Sequence, residues 1–250
     1  MTLAIELNNV STVYEGEKRP AIRDITLSIE EGETIYIVGP NAAGKTTLLE
    51  TINGLLPVFK GDISVLGLDV RKYGRKVRCQ IGYVPQDFMV DPGEPYRALD
   101  VVLMGRYGKV GVLGRLGKED KEKAIEAMRL LGIEDLANRP IGKLSGGQQQ
   151  KVMIARALAK DPKILLLDEP FSNLDPESRE RLSGLIGRLN RERNVTVLVV
   201  THDVQQIASS CSRIIAMNNG RIVADGELMD VIDVVEKILP ISNSFWRRQQ

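Results

Sequence analysis

A glycine-rich segment that ends in a lysine and two threonines is the part of this sequence best suited to chemistry. It fits the pattern G-x-x-x-x-G-K-[ST] and comprises Gly39, Pro40, Asn41, Ala42, Ala43, Gly44, Lys45, Thr46 and Thr47. The apolar run 34–38 predicts a buried strand before it, and residues 47–53 predict a helix after it. Backbone N–H groups at such a junction converge on phosphate. We therefore predict a nucleoside triphosphate site, with Lys45 on the β- and γ-phosphates and the Thr46 hydroxyl on Mg²⁺.

Two carboxylates follow the apolar run 164–167. Asp168 ends a predicted buried strand, where a carboxylate is costly unless it is paired or lies near a metal ion. This is the arrangement of a Walker B motif, in which the aspartate holds Mg²⁺ directly or through water. Glu169 faces the other way and can polarise an attacking water. An acidic turn at a strand end is the alternative, and Lys45 in the same chain makes it the weaker one.

A glycine pair also precedes a second predicted helix. The segment Leu144-Ser145-Gly146-Gly147-Gln148 leads into the helical run 149–159, which places bare amides and a serine hydroxyl at a helix N-terminus. Taken alone, such a segment is more simply interpreted as a flexible glycine hinge. Beside the P-loop and the two carboxylates, it predicts a second anion-binding helix end.

The elements around these groups predict an α/β protein. Alternation of apolar and polar residues at 5–8 and 25–30 predicts antiparallel strands. Other strands are predicted at 63–65, 81–84, 164–167, 195–200, 213–217 and 222–224, the last two flanking the hairpin signal Asn218-Asn219-Gly220. Helices are predicted at 118–131, 176–193 and 228–239, the last ended by Pro240, with a loop-like stretch at 104–111. We expect a P-loop core with a mostly parallel sheet, an antiparallel β subdomain and an inserted helical subdomain.

Composition limits the class of protein. The 250 residues carry a net charge of +1, which gives no general attraction to nucleic acid or to an anionic membrane. Cys79 and Cys211 lie far apart and form no C-x-x-C, so we expect reduced, structural cysteines. The sequence shows no signal-peptide pattern and no apolar run near the roughly 20 residues that cross a bilayer. We therefore expect a cytoplasmic protein that serves any membrane through a partner.

Taken in order, these motifs resemble the ATP-binding cassette (ABC) family of transport ATPases over nearly the whole chain. Further positions that match are Gln86 for the Q-loop, residues 172–175 for the D-loop, His202 for the switch histidine and Tyr14 for the adenine contact. The resemblance implies one cassette over residues 1–240 and a tail at 241–250. Within the cassette it implies an α/β core at 1–86 and 161–240 and a helical subdomain at 87–160.

The resemblance also implies two chains that pack head to tail and sandwich two ATP molecules. Asp175 would line the interface, and the residues that contact the partner's ATP would be Ser145, Gly146, Gly147 and Gln148. Glu169 would be the general base, and His202 would contact the γ-phosphate. Gln86 would sense Mg²⁺ and the attacking water. Tyr14 would stack on adenine, although packing against the core is an equal alternative for a tyrosine at a strand end.

One position departs from the family pattern. Ala42 stands where many cassettes have glycine or serine. We expect its methyl group to be tolerated if the backbone there is helical or extended. Gly44 and Lys45 match the pattern, so the prediction of a phosphate-binding loop does not depend on Ala42.

A local likeness points to importers of metal ions and metal chelates, through residues 101–107 and the predicted helix from Lys118. The zinc/manganese group is nearest, and the iron-chelate and cobalamin group is second. Such a chain would lie on the cytoplasmic face of the membrane, bound to integral permease subunits, and would act indirectly with a solute-binding protein. The residues after Gln86 would receive the permease, and the candidate contacts are Phe88, Met89 and Tyr96.

Soluble ABC-type ATPases form the alternative class. An iron–sulfur assembly scaffold ATPase stays open. A repair protein would carry a long coiled coil, a translation protein would usually carry two cassettes, and neither pattern is present. The near-neutral charge also argues against a nucleic-acid partner. A P-loop kinase would explain neither residues 144–148 nor Glu169.

Overall fold

Two sheets and a set of helices make up the chain in the computed structural model, which describes residues 2–88, 91–111, 114–203, 207 and 211–239. The strands are β1 (Leu3–Thr12), β2 (Ile22–Glu30), β3 (Thr34–Val38), β4 (Val58–Val65), β5 (Leu68–Asp69), β6 (Ile81–Val84), β7 (Ile164–Asp168), β8 (Thr196–Thr201), β9 (Arg213–Asn218) and β10 (Arg221–Gly226). The helices are α1 (Lys45–Ile52), α2 (Val70–Gln80), α3 (Ala98–Met104), α4 (Tyr107–Val110), α5 (Lys118–Leu130), α6 (Gly146–Ala159), α7 (Pro176–Arg193) and α8 (Leu228–Ile238). Within these ranges, no helix has the length and apolar character needed to cross a membrane.

The larger sheet carries the predicted chemistry along one edge. Its order is β10-β9-β3-β8-β7-β6, and all its neighbouring strands except β10 and β9 pair in parallel. Every residue of β3, β7 and β8 is buried, as expected for parallel strands in a sheet interior. Because the carboxyl ends of parallel strands meet at one edge, the segments after β3, β7 and β8 lie side by side. The predicted mostly parallel core is confirmed.

The smaller sheet is antiparallel and has the order β2-β1-β4-β5. In β2 the buried residues Ile25, Leu27 and Ile29 alternate with exposed ones, which confirms the strand predicted from that alternation. These side chains share one core with the buried face of α1 and with β3. This packing fixes the position of α1, which follows directly after the glycine-rich loop. The helix begins at Lys45, two residues earlier than predicted.

The region between β6 and β7 contains the helices α3 to α6, and its described part holds no strand. An apolar core joins α3, α5 and α6 through Val102, Met128 and Ile154. A buried ion pair adds to it: Arg106 Nε donates to Asp120 Oδ1 at 2.8 Å, and Arg106 Nη1 donates to Ala159 O at 3.0 Å. The helix predicted at 118–131 is confirmed as α5. The loop-like prediction for 104–111 is wrong in part, because α4 forms a single helical turn there.

Helix α2 occupies the basic stretch 71–78, for which no element is predicted. Asp69 is its N-cap residue and accepts a hydrogen bond from Arg71 N at 2.9 Å. Only Val70 and Val77 of this helix are buried. So narrow an apolar face does not produce the repeat by which a helix is recognised in a sequence.

The C-terminal half follows the sequence pattern closely. Helix α7 and the β9–β10 hairpin at Asn219-Gly220 are confirmed. Helix α8 ends at Ile238, one residue before the predicted end. Pro240 and the predicted tail at 241–250 lie outside the described residues, and the subdomain boundaries stay a prediction. Cys79 and Cys211 are free thiols.

Candidate functional site

The P-loop leaves the end of β3 and leads into the N-terminus of α1. Gly44 is the N-cap residue of α1, and its φ of 94° is one that a side chain would resist. A Cβ atom there would lie 2.8 Å from Ile22 Cγ2, so glycine is also required for space. No side chain caps this helix end, and no acidic residue occupies its first turn. The first N–H groups of α1 therefore form an anion-binding end.

Ala42 contradicts the expectation for its backbone. Its φ is 61°, in the left-handed region, so the residue is neither helical nor extended. This conformation costs a residue with a side chain about 1–2 kcal/mol. The residue is exposed. The methyl group is therefore tolerated because it faces open space, and the loop retains the backbone strain.

Lys45 is the buried cation of the loop. It is 7% exposed, and its Nζ donates to Gly39 O at 2.8 Å and to Pro40 O at 2.9 Å. Burial lowers the pKa of Lys45 below its usual value, while the charges of Glu169 and Asp168 act in the opposite direction. The ammonium group thus lies over the loop's own carbonyls, in reach of a phosphate bound at the start of α1.

Asp168 and Thr46 meet at the carboxyl edge of the larger sheet. Thr46 Oγ1 donates to Asp168 Oδ2 at 2.6 Å. Asp168 Oδ1 is buried and has no hydrogen-bond partner within the described ranges. Burial is the main reason that the pKa of Asp168 rises to about 6; the Thr46 hydrogen bond opposes the rise, and the charge of Glu169 adds to it. A hydroxyl and a carboxylate with one unpaired oxygen supply the hard oxygen ligands that suit Mg²⁺.

Glu169 and His202 form a second pair beside the first. Glu169 has a φ of 49°, and its N–H donates to Val200 O at 3.0 Å, so a left-handed residue ends the strand here. His202 Nδ1 lies 2.7 Å from Glu169 Oε1. Glu169 Oε2 is buried and has no hydrogen-bond partner among the described residues. The imidazole thus holds one carboxylate oxygen, and the other can accept a proton.

The Ser145–Gln148 segment forms a helix end that caps itself. Ser145 Oγ accepts from Gln148 N at 3.4 Å, and Gln148 Oε1 accepts from Ser145 N at 3.0 Å. Gly146 has open space around it, whereas a Cβ on Gly147 would lie 2.8 Å from Asn173 O. In the part of the chain that the structure describes, no hydrogen bond joins this segment to the P-loop.

Two further polar residues near these segments make internal hydrogen bonds. Asp175, predicted at a chain–chain interface, is the N-cap of α7: its Oδ1 accepts from Ser178 N at 2.9 Å and its Oδ2 from Ser178 Oγ at 2.7 Å. Gln150, which the sequence analysis missed, is 1% exposed and donates from Nε2 to Pro170 O at 3.3 Å. This bond ties α6 to the residue that follows Glu169. A glutamine inside a helical pattern gives no local signal of such a role.

Tyr14 lies on the surface, so packing against the core does not describe it. It is 37% exposed, and its hydroxyl lies 2.9 Å from Thr47 Oγ1 and 3.3 Å from Glu50 Oε2.

Gln86 follows β6 and is exposed; no hydrogen bond within the described ranges joins it to Thr46 or Asp168. Of the three candidate permease contacts, Tyr96 is exposed, Phe88 packs partly on the helical core, and Met89 lies outside the described residues.

Known proteins match this chain over most of its length. A family described as ABC transporter matches residues 22–172, a range that holds the P-loop, the self-capped helix end and both carboxylates. The Manganese transport system ATP-binding protein MntB of Bacillus subtilis is 47% identical over 201 residues, which are 80% of this chain and 78% of that protein. The Zinc transport system ATP-binding protein TroB of Treponema pallidum is 39% identical over 226 residues, 90% of this chain and 82% of that protein. A solved dimer of the ATP-binding cassette MJ0796, bound to ADP and Pi after hydrolysis, matches with a TM-score of 0.79 and 33% identity, over 90% of this chain and 98% of that one.

Proposed function

Because this chain belongs to the ABC transporter family and is an ATPase cassette of it, we propose that it powers the import of manganese or zinc ions. Two copies act together on the cytoplasmic face of a membrane, bound to integral permease subunits that receive solute from a solute-binding protein. The relatives named for manganese and zinc transport support the solute class. The observation that carries the ATPase role is the Glu169 carboxylate, held by His202 on one oxygen and unpaired on the other.

ATP binds with its phosphates at the N-terminus of α1. The residues Gly39 to Thr47 supply backbone N–H groups, and Lys45 exchanges its bonds to Gly39 O and Pro40 O for bonds to phosphate oxygens. Thr46 and Asp168 would hold Mg²⁺, with Gln86 as a further ligand from the segment after β6. Bound there, Mg²⁺ would supply positive charge to the β- and γ-phosphates. Tyr14 presents its exposed ring to the adenine.

Hydrolysis uses the Glu169–His202 pair at the sheet edge. Glu169 Oε2 accepts a proton from a water molecule, whose oxygen forms a bond to the γ-phosphorus. The bond between that phosphorus and the bridging oxygen breaks, and ADP leaves with the electron pair. His202 holds Glu169 Oε1, which fixes the carboxylate, and contacts the γ-phosphate from the end of β8. The products are ADP and inorganic phosphate.

A second copy completes each site. The Ser145–Gln148 helix end makes no hydrogen bond to the P-loop of its own chain in the described ranges, and Gly146 offers open space at its tip. In a head-to-tail pair it meets the γ-phosphate held by the partner's P-loop. A two-fold pair makes both sites equivalent. Asp175 lies close by, where it starts α7 and lines the same interface.

A cleft between α2, α4 and α6 is the surface for the permease. It has a volume of about 340 Å³, and its lining includes the apolar Leu55 and Met104 and the cations Arg75, Arg78, Arg156 and Lys160. Leu55 is 50% exposed and Met104 is 37% exposed. Apolar groups ringed by cations fit a short amphipathic helix that carries a carboxylate. Tyr83, which lies in β6 three residues before Gln86, also lines this cleft. The docked helix therefore lies near the nucleotide site.

The proposal is tested by purifying the tagged chain from its own membranes and identifying what is bound to it. We expect a multi-span permease and an ATPase rate that rises when a solute-binding protein loaded with Mn²⁺ or Zn²⁺ is added. Recovery of soluble iron–sulfur assembly proteins without a permease would keep the ATPase and reject the transporter.

The chemical step has its own control in the same preparation. Glu169→Gln removes the proton acceptor and keeps the shape, so ATP binding should persist while turnover falls by about 10²-fold or more. The substituted assembly should accumulate with ATP bound between its two cassettes. Turnover near the wild-type rate would remove Glu169 from the role of base.

A further inference from the structure

The hydroxyl group of Tyr14 ties an exposed loop to helix α1. Residues 13–21 join β1 to β2, and Ala21 N donates to Thr12 O at 2.9 Å, which closes the loop at its base. Near the start of this loop, the Tyr14 hydroxyl lies 2.9 Å from Thr47 Oγ1 and 3.3 Å from Glu50 Oε2. Among the described residues, these are the hydrogen bonds that connect the loop to α1. The position of the Tyr14 ring therefore depends on the hydrogen bonds that its hydroxyl makes to Thr47 and Glu50.

The chemistry of the three groups fixes the direction of the bonds. A carboxylate oxygen accepts, so the single phenolic proton of Tyr14 goes to Glu50. Thr47 must then donate its own proton to the Tyr14 oxygen. Thr47 is 5% exposed and belongs to the phosphate-binding loop, where a bound phosphate oxygen competes for that proton. Once the phosphate takes it, Glu50 alone still holds the phenol.

We propose that Glu50 is a positioning residue for Tyr14: it holds the ring in place so that the exposed face stacks on the adenine of ATP. This inference rests on the proposed binding of ATP at the P-loop and deepens it. An aromatic side chain on a loop loses conformational freedom when it stacks on a base. A bond to α1 made in advance removes part of that cost and keeps the ring beside the phosphates that the same helix binds.

A second phenol, that of Tyr83, is within electrostatic range of Glu50. It supports the assignment of Glu50 to the nucleotide site. Tyr83 has a buried hydroxyl with no hydrogen-bond partner within the described ranges. Burial raises the pKa of Tyr83 above its usual value, and the charges of Asp168 and Glu50 add to the rise. The Glu50 carboxylate is itself half-buried. Glu50 lies four residues after Thr46, whose hydroxyl bonds Asp168, so both residues are on the same face of α1.

The test compares two ligands that differ in whether they carry a base. Isothermal titration of the full chain with Mg²⁺ and either ATP or inorganic tripolyphosphate separates the adenine contact from the phosphate contact. Glu50→Leu removes the acceptor and should weaken ATP binding by about 3- to 10-fold, the effect of one lost hydrogen bond. Tripolyphosphate should bind as it does to the wild type. Glu50→Gln keeps an acceptor oxygen and should restore ATP affinity to within about twofold.

A double variant shows whether Glu50 acts through the phenol. Tyr14→Phe keeps the ring and removes the hydroxyl, so it should weaken ATP binding about as much as Glu50→Leu does. Combining the two substitutions should add no further loss, because both break the same bond. An additive loss, or an equal loss of tripolyphosphate affinity, would overturn the inference, since Glu50 would then act on the phosphates or on the fold.

The remaining outcomes separate the inference from the proposal beneath it. If Glu50→Leu leaves ATP affinity unchanged while Tyr14→Ala lowers it, the stacking stands and the role of Glu50 is rejected. If Tyr14→Ala also leaves ATP affinity unchanged, the adenine contact itself is rejected, and the positioning role is rejected with it. If neither ATP nor tripolyphosphate bound to the wild type, the P-loop site would be rejected.

Discussion

Two helix N-termini in this chain are suited to phosphate, yet they differ in how their N–H groups are satisfied. The N-cap residue of α1 is Gly44, and no side chain caps this helix end. The Lys45 side chain folds back and donates to the loop carbonyls. The N-terminus of α6 begins at Ser145 and is closed by reciprocal bonds with Gln148. One end depends on backbone shape and a buried cation, and the other on two side chains that satisfy each other.

The difference teaches which end acts first. The N-terminus of α1 has no side-chain cap, so we expect a single chain to bind the phosphates of ATP there. The capped end of α6 is complete without a ligand, and its Ser145–Gln148 N bond of 3.4 Å is long enough to be exchanged easily. We therefore expect nucleotide to bind first to one chain, and the capped end of a second chain to join it afterwards.

The largest expected effect separates the two ends by reaction step. Gly146→Asp puts a carboxylate where the partner's γ-phosphate is proposed to lie, in space that is open within the chain. ATPase turnover should fall by about 10²- to 10³-fold, the range seen when transition-state donors are lost. ATP affinity of the single chain, measured by titration, should change less than about twofold.

Gly184→Asp is the matched control for that substitution, because Gly184 also lies in a helix with nothing within 4 Å of its Cβ position. It should leave both turnover and affinity near the wild-type values. A loss of ATP affinity in Gly146→Asp without a loss in Gly184→Asp would mean that the α6 end serves the nucleotide of its own chain.

The next largest effect concerns the open end. Lys45→Ala removes a buried cation opposite the phosphates and should weaken ATP binding by about 10- to 100-fold, the range for a hydrogen bond to a charged group. Titration calorimetry measures the change, and Lys163→Ala, at an exposed lysine, is the control. Unchanged ATP affinity in Lys45→Ala would show that the α1 end does not bind the phosphates.

A smaller effect tests whether the open end is built by backbone conformation. Gly44→Ala places a methyl group 2.8 Å from Ile22 Cγ2 at a φ of 94°, and should lower the free energy of unfolding by about 2–4 kcal/mol. Gly67→Ala has a similar φ of 73° with nothing within 4 Å, and should cost only about 1–2 kcal/mol. Urea denaturation compares them, and equal losses would mean that close packing at Gly44 contributes nothing.

The smallest effect tests the cap of α6. Gln148→Ala removes the acceptor of the Ser145 N–H and should lower the free energy of unfolding by about 0.5–1 kcal/mol. Gln148→Glu retains an acceptor oxygen and should recover most of that loss. Both are measured by urea denaturation without nucleotide. No loss in Gln148→Ala would show that the helix end is not closed by its own side chains.

The sequence predicts most of the site because its residues follow strands. Asp168, Glu169 and His202 each lie at or just after the carboxyl end of a parallel strand, and such ends share one sheet edge. The P-loop and the α6 end are likewise recognisable from glycine spacing and the helices that follow. The roles of these residues in ATP binding and hydrolysis stay predictions until the variants are measured.

What the sequence does not predict depends on contacts between distant segments. Glu50 and Gln150 read as ordinary helical residues, and only the fold places one beside Tyr14 and the other against Pro170. Helix α2 has two buried residues and therefore no visible apolar repeat. The left-handed backbone of Ala42 is set by the loop around it, because alanine alone disfavours that conformation.

The most direct test of the account mixes the two damaged ends in one transporter assembly. At an ATP concentration just high enough to saturate the wild type, chains with Lys45→Ala and chains with Gly146→Asp are each expected to be much less active than the wild type as homodimers. In a mixed pair, one P-loop and the opposite α6 end are both intact, so such a pair should show about half of the wild-type ATPase activity if the sites turn over independently. Random pairing of equal amounts makes about half of the pairs mixed, so the mixture should reach about a quarter of wild type. A mixture no more active than either variant alone would contradict the account, because each site would then be complete within a single chain.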